Sequence, residues 1–294
     1  MKSFVGAILF ICIAISANAQ LLWKVSGNGL NAPSYIMGTH HLAPLSIIDS
    51  ISGLQKAMNE TQQVYGELKM SDIHSPSAIQ KMQEMIMIKN DTTLKSLLSP
   101  QDYETVSKYC KENMMMNLDI APKLKPAFLL NNIAVIAYIK HIGNFNPKEQ
   151  LDDYFQIQAT HQKKKVDGLE TPDFQFNLLY NSLSLKRQAQ LLMCTLNNID
   201  NEVETLKRLS KAYMEQNLKL MYEINEEKKE NSCDATTEEE DAMIYQRNQT
   251  WAKKLPAIMQ TAPTFIAVGA LHLPGDKGVL NLLRNQGYTV EAVK

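Results

Sequence analysis

Two histidines in this 294-residue chain each follow a glycine by three positions, directly after a short apolar run. His41 ends Tyr35-Ile-Met-Gly-Thr-His-His, and His272 ends Phe265-Ile-Ala-Val-Gly-Ala-Leu-His. Given 12 glycines and 6 histidines, chance gives roughly a quarter of one such spacing, so two in matching contexts indicate a shared role. Imidazole exchanges protons near neutral pH and binds metal ions. Two unrelated loop histidines are the alternative interpretation.

Two glutamates also follow glycines at the ends of predicted strands. Glu67 ends the segment Val64-Tyr-Gly-Glu, and Glu170 ends Val166-Asp-Gly-Leu-Glu ahead of a Thr-Pro helix start. Glu67 is either a site carboxylate or an ordinary surface glutamate. Glu170 is an acid/base group, a partner that holds a histidine tautomer, or a carboxylate favoured by the helix dipole.

Arg247 and Asn248 are a third candidate, within Tyr245-Gln-Arg-Asn-Gln-Thr-Trp. An arginine beside an asparagine could bind a substrate carbonyl or carboxylate through several N–H groups. The alternative is that Arg247 pairs with a nearby acid of the protein itself.

Residues 265–293 predict one βαβ unit, with an apolar strand, a glycine-rich turn, a helix of i, i+3, i+4 pattern and a strand after Gly287. Turn residues between two apolar segments predict a β-hairpin from residue 21 to residue 37. Further strands are predicted at 63–68 and 165–170. Helical patterns cover 75–160 and 173–260, including single helices at 202–228 and 237–259.

These elements predict an α/β (α+β) fold with a small central mixed sheet, two pseudo-symmetric βα units that carry the Gly-x-x-His turns, and a large helical layer. Residues 20–294 are expected to form a single domain with a helical insertion at about 75–160. Both histidine turns should then meet at the carboxyl edge of the sheet, where catalytic and binding groups collect. His40 is expected to point away from His41, since successive residues project to opposite sides.

The composition excludes some classes of function. A formal net charge of -1, without a lysine-rich helix face, argues against nucleic acid and anionic lipid as partners. The chain has no His-Glu-x-x-His helix, no Gly-x-Ser-x-Gly segment and no phosphate-binding loop.

Residues 1–19 are interpreted as a signal peptide, because Lys2 precedes an apolar stretch and Ala17-Asn-Ala is a small-x-small cleavage site. The predicted location is periplasmic or secreted, with no membrane span after cleavage. Three cysteines then remain, and their odd number and spacing argue against a disulfide framework and a structural zinc site. One bridge within the chain is the most that can form, and Cys110 and Cys194 are interpreted as buried apolar residues.

The histidine motifs, the framework between them and the closing Leu273-Pro-Gly-Asp-Lys-Gly-Val-Leu-Asn-Leu-Leu resemble the TraB/GumN family, which includes relatives of the Tiki metalloproteases. The resemblance covers the chain from Leu22 onward, and Arg247-Asn248 resembles a further motif of the family. It implies a divalent metal centre built from His41, Glu67 and His272.

The residues and the resemblance together predict a metal-dependent hydrolase, most plausibly a peptidase acting outside the cytoplasm on a peptide or protein. Glu67 or Glu170 would be the general base. The mixed N and O donors do not indicate whether the ion is Zn, Mn or Co. The alternative is a non-catalytic envelope protein that binds a metal, haem or peptide.

Overall fold

The computed structural model describes residues 20–294, so the predicted signal peptide at 1–19 lies outside the described residues. The sheet within this range consists of β1 (Leu22–Ser26), β2 (Ser34–Thr39), β3 (Gln63–Gly66), β4 (Lys165–Gly168), β5 (Thr264–Gly269) and β6 (Thr289–Ala292). Its strand order is β4-β3-β5-β2-β1-β6. The predicted α/β class with a mixed sheet is confirmed.

One side of the sheet is antiparallel. Strand β1 pairs with β2 through the predicted hairpin and with β6 on its other edge. Gly27, Asn28 and Gly29 all have positive φ in the hairpin turn, a conformation that glycine and asparagine adopt at low cost. The turn therefore needs these residue types.

The other side of the sheet is parallel, with β5 lying between β2 and β3, and β3 pairing with β4. Every residue of β2 and β3 is buried, and β5 is buried except at Gly269. Such continuous burial is typical of parallel strands covered on both faces. The carboxyl ends of the four parallel strands consequently lie at one edge, as predicted.

Helices cover most of the chain between the strands. Their bounds are α1 (Leu54–Glu60), α2 (Met70–Ile73), α3 (Pro76–Met85), α4 (Leu94–Leu97), α5 (Pro100–Met114), α6 (Pro126–His141), α7 (Leu151–His161), α8 (Pro172–Asn181), α9 (Leu185–Asn197), α10 (Ile199–Met214), α11 (Leu218–Glu226), α12 (Thr237–Glu240), α13 (Gln246–Thr261) and α14 (Val279–Asn285). None of the helices within residues 20–294 is long and apolar enough to cross a membrane.

Two long predicted helices are interrupted. The helix expected at 202–228 ends with α10, because Gln216 has a φ of 56° and Asn217 then caps α11 by accepting from the N–H of Leu220 at 3.0 Å. The helix expected at 237–259 contains a π-helical turn at Asp241–Tyr245, directly before Arg247. The prediction of a single helix was wrong at 202–228, whereas the chain at 237–259 is helical throughout and departs from the prediction only by its π-helical turn.

Helix α7 packs the helical segment between β3 and β4 against the sheet. Its Phe155 packs on Phe265 of β5, with ring centroids 5.0 Å apart. A second apolar cluster lies farther out and includes Val106, Leu129 and Leu192. This cluster packs helices α5 and α6 of the predicted insertion against α9, which follows β4, while α7 brings its first turn close to the ends of the strands.

A disulfide joins Cys194 of α9 to Cys233, 39 residues later, with 5.4 Å between their Cα atoms. Cys194 is buried, as interpreted, but it forms the single bridge that the sequence allowed instead of remaining a free thiol. The loop at 227–236 folds back on α9, where Arg187 donates to the carbonyl oxygens of Ser232 and Asp234 at 2.8 Å each. Cys110 is free and buried, as expected.

Candidate functional site

A pocket of about 440 Å³ opens at the edge where the parallel strands end. Strand β2 leads into His41, β3 into Glu67 and β5 into His272, while α13 contributes Arg247. Glu170, which follows β4, lies on the far side of Arg247 in a neighbouring pocket. The structure therefore brings the predicted site residues to one region of the sheet edge.

The carboxylate of Glu67 is almost fully buried and bonded on both oxygens. Its Oε1 accepts from the N–H of Gly269 at 2.8 Å, and its Oε2 accepts from Arg247 Nη2 at 2.5 Å and from Gln175 Nε2 at 3.0 Å. Burial alone would raise the pKa of Glu67, but His272, Arg247, His41 and the Gly269 N–H together lower it to about 2. Glu67 is therefore an anion at neutral pH.

The ring of His272 is buried and held in one orientation. Asn248 Oδ1 lies 2.7 Å from Nδ1, and the amide of Asn248 is itself oriented because its Nδ2 donates to the carbonyl of Lys277 at 3.0 Å. Burial is the largest cause that lowers the pKa of His272 to about 4. The neutral ring accordingly carries its proton on Nδ1 and offers the Nε2 lone pair.

His41 is held by a carboxylate that the sequence analysis did not single out. Its Nδ1 lies 2.7 Å from Asp152 Oδ2, and Thr39 donates to Asp152 Oδ1 at 2.9 Å. The negative charge of Asp152 raises the pKa of His41 to about 9. The side chain of His41 is 64% exposed and that of Asp152 12%, so the pair sits at the rim of the pocket.

Arg247 joins the acidic residues of the site. Its guanidinium bonds Glu170 through Nε and Nη2, both at 2.9 Å to the nearer oxygen, and Glu67 through Nη2. Its Nη1 lies 3.0 Å from His272 Nε2 and donates to the carbonyl of Met243 at 3.0 Å. Of the two interpretations of Arg247, the structure shows pairing with the protein's own acids.

Glu170 is buried behind Arg247 and has no oxygen without a partner. Its Oε1 accepts from Trp251 Nε1 at 2.9 Å, and its Oε2 accepts from Gln175 Nε2 at 3.0 Å, in addition to the guanidinium. Its side chain is 5% exposed. A carboxylate held in this way is suited to fixing Arg247.

The predicted metal ligands are only partly brought together. Glu67 Oε1 and His272 Nε2 are 3.7 Å apart, shorter than two metal–ligand bonds of roughly 2.1 Å laid end to end. His41 lines the same pocket but bonds to Asp152. Within residues 20–294, no three His, Cys, Asp or Glu side chains are placed to contact one ion together. The set of three ligands stays a prediction.

The donor atoms nevertheless fit a divalent ion in their chemistry. Each histidine has a partner at Nδ1, Asn248 for His272 and Asp152 for His41, an arrangement that orients Nε2 toward a metal in known sites. Two imidazoles and a carboxylate are a suitable donor set. Because Arg247 Nη1 bonds to His272 Nε2, an ion that binds there replaces this hydrogen bond.

His40 has different surroundings from its neighbour His41. Its ring packs on Tyr213 and Tyr138, with centroids 5.3 and 5.7 Å away, and its Nδ1 accepts from the N–H of Leu42 at 3.2 Å. Burial lowers the pKa of His40 to about 4. His40 also lines the pocket, but its contacts are with aromatic rings instead of acids.

Sequence reasoning missed three residues of the site, namely Asp152, Gln175 and Trp251. Asp152 lies in the first turn of α7, in a plain Leu-Asp-Asp sequence without a motif. Gln175 is likewise an ordinary residue of α8. Of these three residues, only Trp251 has a sequence feature that points to the site. It follows the candidate Arg247 by four positions and so lies on the same helix face.

Comparison with known proteins places this chain among a family. The sequence model of the TraB/PrgY/gumN family matches residues 21–292. Metalloprotease TIKI1 of Danio rerio is 24% identical over 318 residues, which cover 92% of this chain and 63% of the relative. Metalloprotease TIKI1 of Homo sapiens is 24% identical over 319 residues, covering 92% and 61%. Metalloprotease TIKI2 of Xenopus tropicalis is 25% identical over 317 residues, covering 92% and 59%.

The chain therefore spans less than two thirds of the length of these relatives. No solved structure matches it.

Proposed function

Because the chain belongs to the TraB/PrgY/gumN family, we propose that it is a metal-dependent hydrolase that cleaves peptide bonds. The relatives named as metalloproteases support this reaction class. The observation that carries the proposal is the pair of Glu67 and His272, 3.7 Å apart at the end of a pocket, with the His272 tautomer held by Asn248.

His41, Glu67 and His272 would hold the metal ion in this proposal. A divalent ion bound by such donors polarises a carbonyl group and lowers the pKa of a bound water molecule. Asn248 accepts from Nδ1 of neutral His272 and leaves its Nε2 lone pair available. His41 is oriented by Asp152, but its pKa of about 9 means that it would give up its Nε2 proton when an ion binds.

Glu67 and Glu170 have different proposed roles. Glu67 lines the pocket, but its pKa is about 2 and both of its oxygens are bonded, so we assign it the role of metal ligand and no proton transfer. Glu170 has every oxygen engaged by Arg247, Trp251 and Gln175, so its proposed role is to hold the guanidinium. All five N–H groups of Arg247 have partners in this structure. An ion at His272 Nε2 would release one Nη1 N–H, and this group would bind the carbonyl or carboxylate oxygen of a substrate, with Asn248 supporting the site through His272.

The proposed place of action is outside the cytoplasm. The support is the segment 1–19, whose charged start, apolar stretch and Ala17-Asn-Ala sequence are typical of a signal peptide.

A second candidate function is binding without catalysis. The guanidinium of Arg247 already pairs with two buried carboxylates and bonds His272 Nε2. The polar atoms of this cluster therefore have hydrogen-bond partners without an ion, which suits a protein that captures a peptide and releases it unchanged.

Metal content and hydrolysis of the purified protein separate these candidates. We expect bound metal by elemental analysis, and cleavage of a fluorogenic peptide library after loading with Zn, Mn or Co. His41→Ala and His272→Ala should lose both properties. His74→Ala is the matched control, because His74 is as exposed as His41, at 64%, and pairs with Asp153 instead. Wild-type protein that binds none of the three metals and cleaves nothing would overturn the proposal.

A further inference from the structure

We infer that the pocket beside Glu67 and His272 is a subsite for one large apolar side chain of a peptide. This inference rests on the proposed function for its setting next to a cleaved bond, but its binding preference can be measured without hydrolysis. The occupant we assign is a leucine-, methionine- or phenylalanine-like side chain.

The pocket has one polar end and one apolar wall. Its polar end is formed by the strand-end residues and by Arg247 of α13. Its apolar wall includes Leu178 and Leu179 on α8, Leu209 on α10, Met221 on α11, Met243 and Ile244 in the π-helical turn, and Leu271 after β5. A ligand in this pocket therefore meets hydrogen-bonding groups on one side and aliphatic carbon on the other.

Part of this wall stays in contact with water. Leu179 is 38% exposed and Met243 37%, although large apolar side chains gain free energy when they are covered. Both line the pocket, Leu179 from α8 and Met243 from the π-helical turn before Arg247, and both also line a neighbouring cavity. An apolar side chain that contacts them in the pocket removes part of this surface from water.

The charges that line the pocket disfavour charged side chains of a substrate. The charged groups that line the pocket are Glu67, Arg247 and His41, and the two cationic groups are already paired with carboxylates of the protein. The described lining contains no lysine or aspartate that could pair with a charged substrate side chain on the apolar wall. A lysine or aspartate of the substrate would thus lose water without gaining a partner, which is unfavourable.

The volume of the pocket admits a large side chain together with its adjoining backbone. A volume of about 440 Å³ lies near the lower end of the range for sites that bind small ligands, roughly 300–1,000 Å³. The backbone of the peptide would lie toward the polar end, where carbonyl oxygens can accept from N–H groups. The geometry therefore fits an extended peptide segment, since a folded surface cannot enter.

The test uses four dansylated hexapeptides of Ala, Gly and Ser that differ only at one central residue, which is Leu, Ala, Lys or Asp. Binding is measured by fluorescence anisotropy on the protein treated with a chelator, so that no peptide is cleaved. We expect the Leu peptide to bind about tenfold or more tightly than the Ala peptide, and the Lys and Asp peptides to bind most weakly.

Two variants change the wall and one serves as control. Leu179→Lys and Met243→Lys should each weaken binding of the Leu peptide by about tenfold and improve binding of the Asp peptide. Ile139→Lys places the same charge on α6, at a site of similar exposure, 43%, away from the pocket lining, and should change neither. Thermal melts verify that each variant folds, and having two wall variants keeps the test valid if one does not.

Equal binding of all four peptides, or no binding of any up to millimolar concentration, overturns the inference. A preference for Leu that all three lysine variants alter alike also overturns it. Tight binding of the Leu peptide without cleavage in the presence of Zn, Mn or Co supports the subsite and overturns the proposed hydrolysis.

Discussion

At the scale of single residues, the site depends on partners that hold each functional side chain. Asn248 orients His272, Asp152 orients His41 and Glu170 orients Arg247, at distances of 2.7 to 2.9 Å. Two of these partners lie more than 70 residues away from the side chain they hold. Their loss should therefore alter function or stability without removing a proposed ligand.

The Asp152–His41 contact can be tested by metal affinity. Asp152→Ala should weaken binding of Zn by about 10- to 100-fold, because the Nε2 of His41 is then no longer oriented toward the pocket. Isothermal titration with a competing chelator measures this change. Asp153→Ala is the control, since Asp153 is the next residue but contacts the exposed His74 at 3.6 Å. Equal affinities for the two variants would show that Asp152 does not position a ligand.

Replacing Glu67 and replacing Glu170 with glutamine should have different effects on metal binding and on stability. Glu67→Gln should lose the metal. Glu170→Gln should keep the metal but lower the free energy of unfolding by about 3–5 kcal/mol, because it removes one partner of a buried ion pair. Asp173→Asn, which breaks an exposed pair with Lys81, should cost less than about 1 kcal/mol. Chemical denaturation and elemental analysis give both quantities.

A different result for Glu170→Gln would change its assignment. If this variant is as stable as wild type, retains the metal and loses hydrolysis by two to four orders of magnitude, then Glu170 is the general base and not the residue that holds Arg247.

At the scale of elements, the segment that carries Arg247 is tied to α9. The disulfide joins Cys194 to Cys233, and Arg187 bonds Glu239 through Nε at 2.7 Å and through Nη2 at 2.9 Å. The side chains of Arg187 and Glu239 are 18% and 14% exposed. These contacts stabilise α12 and the π-helical turn, and so they fix where α13 begins.

The Arg187–Glu239 pair should give a stability contribution that depends on pH. Hydrogen bonds from Arg187 hold the pKa of Glu239 below its ordinary value of 4.5, against the opposing effect of burial. A lowered pKa in the folded state means that the unfolded chain takes up the proton first. The contribution is therefore complete above about pH 4.5 and is lost as the pH falls through the folded pKa.

Glu239→Gln should accordingly be less stable than wild type by about 1.5–3 kcal/mol at pH 7, and this difference should be smaller at pH 3, below the ordinary pKa of a glutamate. Urea unfolding at both pH values measures it. Glu238→Gln is the control, because Glu238 is exposed and makes no ion pair within the described residues. A difference that is the same at pH 7 and pH 3 would contradict the assignment to the Arg187 pair.

At the scale of the whole molecule, the candidate site lies where three parts of the chain meet. The sheet supplies His41, Glu67 and His272, α7 supplies Asp152, and α13 supplies Arg247. An ion held by ligands from both β2 and β5 would link strands that are more than 200 residues apart in sequence. Bound metal should therefore stabilise the entire fold.

Chelation should lower the melting temperature of the metal-loaded protein, and adding the metal back should restore it. The free energy of unfolding rises by RT ln(1 + [L]/Kd), about 2.7 kcal/mol when the free ion is at 100 times Kd. Differential scanning calorimetry with and without chelator measures the shift. His272→Ala should show no shift, whereas His74→Ala should behave as wild type. A melting temperature that chelator never changes, in protein that contains metal, would place the ion outside the core of the fold.

The local sequence was enough to predict the strands and the position of the candidate site at their ends. Apolar runs, turn glycines and β-branched residues act over a few neighbouring positions, so the strands at 63–66, 165–168 and 264–269 were predicted to within about two residues. Because parallel strands end at one edge, residues that follow them were expected to gather there, and Glu67, His272 and Arg247 do contact one another.

Only the tertiary structure decided which partner each of these residues has. The pairing of His41 with Asp152 spans 111 residues, and that of Arg247 with Glu170 spans 77. The Cys194–Cys233 bond likewise depends on a loop that folds back over α9. Sequence periodicity describes which face of an element is buried, but it contains no information about which distant side chain meets that face, because that choice depends on how the helices pack on the sheet.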